Sequence, residues 1–436
     1  MFRSLVMRAL ALLLLSPAPI ARALDEEAPN EMAAHLSTLG RKPDWSELER
    51  YQGTITHDEF VRLLEQVYAT HGYDPALIQI APDAARILQT AGTKDYLVLR
   101  FAGDEKSRRP ISRWWVAPAA LAKPTPAPEK PLAGFHIALD PGHMGGRWAE
   151  MEERWFKIGD APPVQEGDMT LRVAQLLRPR LESLGAKVSL LRDKLEPITP
   201  YRPSDFEEIA RQFLIQAGVA DPREHYDGRT DPAKEQTVGW QRELLFYRNS
   251  EIRRRASEIN HRLEPDLVLC LHFNAEPWGD PNRPTLVEKN HLHLLVNGSY
   301  LPVELALDDE RFEMMLKLLS RSFPEELALA EAFAETMAKE TGLPPYRYKT
   351  ENVTPVGTSG YVFARNLLAT RLYRCPTVYF EPYVMNSGEV FERVQEGDYE
   401  GMRAVAGKER PSIYREYVEG VVAGLLKYFK TVRPDR

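Results

Sequence analysis

Phe135-His-Ile-Ala-Leu-Asp-Pro-Gly-His143 is the stretch whose reading decides the fold. Four apolar positions within Phe135–Leu139 describe a short strand buried on both faces, the pattern of a parallel sheet covered by helices. Asp140-Pro-Gly breaks the strand and delivers His143 at its carboxyl end. In open α/β sheets that edge is where ligands and catalytic groups gather. A His on a sharp, Gly-flanked loop suits metal binding or proton transfer. Most loop histidines are merely solvated, so the weight of this one depends on partners elsewhere in the chain.

Working outward, Met169–Leu184 carries Leu171, Ala174, Leu177 and Leu181 at helical spacing, interrupted by Pro179 and closed by Gly185. Lys187–Arg192 then reads as a second strand, and strand, helix, strand with short joints implies a parallel unit. Glu196–Trp240 is Pro-rich and charged with little periodicity, an insertion over the sheet. Glu243–Leu263 is strongly helical, and Asp266-Leu-Val-Leu-Cys-Leu-His272 is a buried strand that again ends in His. His291–Val296 is strand-like, Phe312–Phe323 and Glu325–Glu340 read as helices, Pro376-Thr-Val-Tyr-Phe-Glu381 is a last strand, and Ile413–Phe429 a C-terminal helix. The expected class is α/β, a mostly parallel central sheet flanked by helices, with a smaller N-terminal α+β domain.

The ends of the chain and its composition bound the rest. At 436 residues it suits two domains or one large decorated one. A net charge of -7 leaves no nucleic-acid footprint. Arg3 and Arg8, the apolar run Ala9–Leu15 and Ala21-Arg-Ala23 read as an export signal cleaved after Ala23, and no later stretch is apolar enough to cross a membrane. The mature chain is therefore expected to be exported, periplasmic or extracellular. Residues 24–116 form an N-terminal domain of unknown role. In it Thr56-His-Asp-Glu59 is a capping box before an amphipathic helix, Pro75–Leu88 reads as shorter helices, and Asp95–Phe101 alternates like a strand. Trp114-Trp115 is read as core or domain contact ahead of sugar stacking. The Pro/Ala-rich stretch 117–131 is the linker, and 132–436 the second domain, with insertions near 196–240 and 280–320. Cys270 and Cys375, each in or next to a strand pattern, read as two buried thiols, with a single bridge left open.

Three strands thus end in His143, His272 and Glu381, and Glu166 in Val164-Gln-Glu-Gly-Asp-Met-Thr170 sits where the first helix begins. If the strands are parallel neighbours, these four residues share one sheet edge. Two His and one Glu with an open position make a catalytic zinc site, in which the metal polarises a carbonyl and acidifies water. A further carboxylate then serves as general base, and Glu381 fits. Rivals for the carboxylate are Glu150, Glu152 and Glu153; rivals for the metal are His291 and His293, two apart on a strand. Glu381 could instead be a buried carboxylate paired with Arg365 or Arg374, and Asp140 is read as shaping the turn or bonding a ligand His.

Leu139-Asp-Pro-Gly-His143, Glu166 before a helix, Leu271-His-Phe-Asn-Ala275 and Val378-Tyr-Phe-Glu381 resemble, in order, the motifs of the zinc-dependent N-acetylmuramoyl-L-alanine amidases of the type-3 family. The resemblance spans roughly Gly134–Phe429. It implies an α/β, phosphorylase/hydrolase-like fold, His143, Glu166 and His272 as ligands of one zinc ion, and Glu381 as catalytic Glu. It also implies the muramoyl–L-alanine amide of peptidoglycan as target. Met144 stands where the family usually has Gly, and Glu381-Pro-Tyr383 replaces its Glu-x-Gly-Phe ending. An activator protein is left open, a monomer is expected, and the alternatives are a catalytically silent wall-binding module or a zinc amidohydrolase of another peptide or acylated sugar.

Overall fold

The computed structural model describes residues 35–121 and 129–433, so the export signal at 1–23 and linker residues 122–128 lie outside the described residues. In the N-terminal region three short strands, β1 (Ile78–Ile80), β2 (Ala84–Leu88) and β3 (Tyr96–Arg100), form an antiparallel meander. Helix His57–Leu63 precedes them, with Thr56 as N-cap accepting from the Glu59 amide. Pro75–Leu88 is therefore sheet, not the short helices its sequence suggested. Ile78, Ala85 and Ile87 bury against the core, and that burial outweighs weak local helix preference.

The central sheet is built from β4 (His136–Pro141), β7 (Lys187–Leu190), β8 (Leu267–Leu271), β9 (Leu292–Val296), β10 (Thr354–Pro355), β11 (Val362–Ala364) and β12 (Thr377–Pro382), with a small hairpin of β5 (Trp155–Phe156) and β6 (Val164–Gln165) between β4 and β7 in the chain. Its order is β10-β11-β9-β12-β8-β4-β7. β7, β4, β8 and β12 run parallel; β9 turns antiparallel to β12 and takes β11 parallel to itself. The parallel block puts the carboxyl ends of β4, β8 and β12 side by side, as the sequence required.

The pleat divides the sheet residues between two layers. Ile137, Leu139, Leu267, Leu269, Leu271, Val378 and Phe380 face the main core, with helices Glu166–Ser183, Ser322–Thr341 and Ile413–Val432. Ala138, Val268 and Cys270 face the other way, toward Ala256, Ile259 and Tyr373. The N-terminal residues share the main core: Trp45 meets Phe312 edge-on at 5.3 Å, and the Ser299 and Tyr300 amides bond to the Val67 and Tyr68 carbonyls. Helix Asp308–Ser320 is buried along most of its length beneath that region. It ends at Arg321, whose left-handed φ of 55° separates it from the next helix, three residues before the boundary expected from sequence.

The 196–240 stretch is more ordered than its composition suggested. It holds helix Glu207–Gln216, and helical winding resumes at Val238, capped by Thr237, and runs to Leu263 through two widened π segments. Phe206, Ile209, Ala210 and Leu214 form a separate cluster with Val238, Phe246 and Met144.

Candidate metal centre

β4 ends in Asp140-Pro141, and Gly142 and His143 follow. Gly142 passes so close to His272 that a Cβ there would lie 2.1 Å from the imidazole Cε1, and only glycine leaves room. His143 has φ 55°, a left-handed conformation held by its surroundings. The buried Arg255 donates to Asp140 Oδ1 at 2.8 Å, to the Pro141 carbonyl at 2.9 Å and to the His143 carbonyl at 3.4 Å. Glu251 holds the other side of the guanidinium at 2.9 Å, and Tyr373 donates to Asp140 Oδ2 at 2.6 Å. Thr170 donates to the Gly142 carbonyl at 2.6 Å. Asp140 thus fixes the turn, through Arg255 and Tyr373, and touches neither ligand side chain.

That turn aims His143 at two partners. Glu166 Oε2 lies 3.3 Å from His143 Nε2, and Glu166 Oε1 lies 3.0 Å from His272 Nδ1. The ligand atoms of His143, Glu166 and His272 all fall within 4.8 Å of one another, and among the described residues no other grouping of three His, Cys, Asp or Glu does so. Glu166 is the first residue of its helix, where the dipole favours an anion, and it also accepts from the Phe273 amide at 3.1 Å. His272 stacks on Tyr379 with centroids 4.1 Å apart and stands nearly perpendicular to His143.

Burial holds the His143 imidazole well below its usual pKa, against the pull of Glu166, so its nitrogens keep a free electron pair. Burial opposes ionisation of Glu166, but His143, the His272 hydrogen bond and Arg154 outweigh it and hold the carboxyl below its usual range. Two imidazoles and one carboxylate are the donors of a borderline divalent ion with an open coordination position. The group fits a metal on that chemistry.

Glu381 lies in β12, with Tyr379 two residues before it on the same face. It is half-buried, and its pKa is pushed well above the carboxylate range, first by burial and then by the charge of Glu166; Arg154 and Arg365 oppose the shift. Among the described residues it forms no ion pair, and Arg374 is engaged elsewhere, with Glu47 at 2.7 Å. The paired-carboxylate alternative is not what the fold builds.

The rivals take other places. Glu150 pairs with Arg229 and Glu153 with Lys234. Glu152 is buried; it accepts from the Met144 and Gly145 amides and lies 3.5 Å from His143 Nδ1, behind the ring. One of the rival carboxylates thus supports His143 from behind, and nothing in its spacing announces this. Arg154, 3.3 Å from Glu166 Oε2, was likewise not legible. His291 and His293 gather no third ligand; they pack against Tyr346 and Tyr348. Cys270 and Cys375 are buried and unpaired. Trp115 is buried under Arg113, and Trp114 bonds the Pro265 carbonyl. The two departures from the family motifs are structural: Met144 anchors the cluster of the 196–240 stretch, and Tyr383 takes the φ of 60° that a glycine would favour while its hydroxyl bonds Glu416.

No family model and no curated protein matches the chain. Solved structures do. An N-acetylmuramyl-L-alanine amidase of Mycobacterium smegmatis matches with 15% identity over 69% of this chain and 99% of its own, at a TM-score of 0.35. The CwlD amidase of Clostridioides difficile, solved in complex with the GerS lipoprotein, matches with 13% identity over 68% of this chain and 100% of its own, at 0.35. The N-acetylmuramoyl-L-alanine amidase AmiC2 of Nostoc punctiforme gives 16%, 68%, 99% and 0.34. These three solved structures, each matched over about two thirds of this chain, are amidases, two of them N-acetylmuramoyl-L-alanine amidases.

Proposed function

We propose that this chain is an exported, zinc-dependent amidase that cleaves the bond between the muramic acid lactyl group and L-alanine in peptidoglycan. The observation that carries the reading is the His143–Glu166–His272 grouping, with Glu381 unpaired on the neighbouring strand. The ordered motifs around these four residues support the same reading, and the sequence features of residues 1–23 support export.

In this reading His143, Glu166 and His272 hold one zinc ion. Zinc bound there would polarise the amide carbonyl and acidify a water. Glu152 and the Arg255 network fix the orientation of His143, and Tyr379 fixes the plane of His272. Glu381 takes the proton of the attacking water and returns it to the leaving amine. Burial raises its pKa above the ordinary carboxylate range, which makes it a stronger base than a solvated carboxylate.

The test is the chain from Leu24, purified with zinc and incubated with peptidoglycan, with released fragments identified by mass spectrometry. Free stem peptides beginning at L-alanine, lost on chelation and restored by zinc, are the expected result. Intact wall despite one bound zinc would overturn the substrate; absence of any bound zinc would overturn the centre itself.

A further inference from the structure

Beyond Glu381 the same face of the sheet carries polar side chains that the reaction does not use. The antiparallel register sets His293 opposite Glu381 and Leu295 opposite Tyr379. Residues directly opposite in such a pair share a face, with Cβ atoms about 5 Å apart. The strand order runs from His272, just past β8, through Glu381 on β12 to His293 on β9 and Arg365, just past β11. His293 Nε2 lies 2.8 Å from the Tyr348 hydroxyl, while its buried Nδ1 has no hydrogen-bond partner. The Arg365 guanidinium stands 5.9 Å from the Tyr348 ring centre, and its Nε is buried and unpartnered. Among the described residues Arg365 forms no ion pair, and the carboxylate its charge acts on is Glu381. A half-buried cation among aromatic rings is costly unless an anion meets it.

We propose that Arg365, backed by the Tyr348 hydroxyl and His293, binds a carboxylate of the substrate's peptide on the leaving-amine side of the scissile bond. The inference rests on the amidase reading and adds the subsite that selects the peptide. Glu381 hands its proton to the leaving amine, so the peptide extends from Glu381, and the groups farther along the sheet from His143 and His272 face it. The glycan side offers no anion there, since the carboxyl of muramic acid is consumed in the amide; a stem peptide carries free carboxylates. The span also fits. β12 and β11 are two strand spacings apart, roughly 10 Å, which an arginine stem shortens. A peptide advances about 3.5 Å per residue, so a carboxylate one or two residues past the amide meets the guanidinium. The planar fork of Arg is matched to a carboxylate as an ammonium is not.

The experiment compares two N-acetylmuramoyl-L-alanyl-D-isoglutamate dipeptides whose γ-carboxyl is capped as an amide, one with its α-carboxylate free and one with the α-carboxyl also amidated. With the zinc-loaded chain, Arg365→Gln should raise KM for the acid on the order of ten- to a hundred-fold and leave KM for the amide unchanged. Arg365→Lys should retain part of the preference. Equal rises in KM on both substrates, or no change, would each overturn the subsite. Binding of the same pair to the Glu381→Gln chain, followed by calorimetry, needs no turnover. There, preference for the acid that Arg365→Gln abolishes supports the subsite even if nothing is cleaved, and equal binding of acid and amide overturns it. A kept binding preference with no cleavage by the unmutated chain would instead remove the amidase reading.

Discussion

Glu166 and Glu381 are carboxylates of one small site whose surroundings drive them in opposite directions. Glu166 meets two imidazoles, a backbone amide and Arg154, and its charge is matched; Glu381 meets burial and the charge of Glu166. Pairs of titratable groups pushed apart in this way divide the roles of ligand and proton carrier. Glu381→Gln should therefore lower kcat by about 10²- to 10⁴-fold with zinc content unchanged, measured by metal analysis beside turnover. The sign of the pH dependence follows. The base form is needed and the pKa is raised, so kcat/KM should fall as pH drops through a value above the ordinary carboxylate range. Burial is the larger cause of the shift and the charge of Glu166 the second, with Arg154 and Arg365 opposing both. An acid limb at ordinary carboxylate pKa would contradict this. Gly142→Ala places a methyl group against the His272 ring; a stability loss of about 1–3 kcal/mol and weakened zinc retention are expected, read by thermal unfolding and dialysis.

At the scale of elements, the centre depends on one turn held from behind by a helix. Arg255, on helix Glu251–Glu258, ties Asp140, Pro141 and His143 to Glu251, and Glu251 also accepts from the Ile198 and Thr199 amides. Removing the cation leaves two buried carboxylates without their partner. Arg255→Ala should cost about 3–5 kcal/mol in chemical denaturation and release zinc before the fold melts. A variant with wild-type stability would show that the network is not what holds the turn. Met144 links the same turn to the 196–240 stretch. Met144→Ala should cost about 2–5 kcal/mol and speed proteolysis within 217–237.

Across the whole molecule, the N-terminal region and the sheet share one core, and helix Asp308–Ser320 lies between them. Asp308 and Asp309 of that helix bond the backbone amides of Ala91 and Ser37. Trp45→Ala should lower the stability of the chain by about 3–5 kcal/mol, within a single unfolding transition seen alike by tryptophan fluorescence and circular dichroism. Two separate transitions would show that the regions are independent.

The sequence by itself determined the parallel block and the four residues at its edge. Continuous apolar runs of five or six residues have one stable destination, the middle of a covered sheet. A polar residue just past such a run must emerge at the strand end, so His143, His272 and Glu381 were legible locally. The tertiary structure decided what no spacing encodes. It turned Pro75–Leu88 into sheet by giving it a core to bury against. It brought Glu152 behind His143, Arg154 onto Glu166 and His293 opposite Glu381, contacts made by loops and by an antiparallel register. Those contacts depend on how chain segments far apart in sequence approach one another. Local patterns fix the direction in which each side chain leaves its strand, and only the packed whole fixes what it meets there.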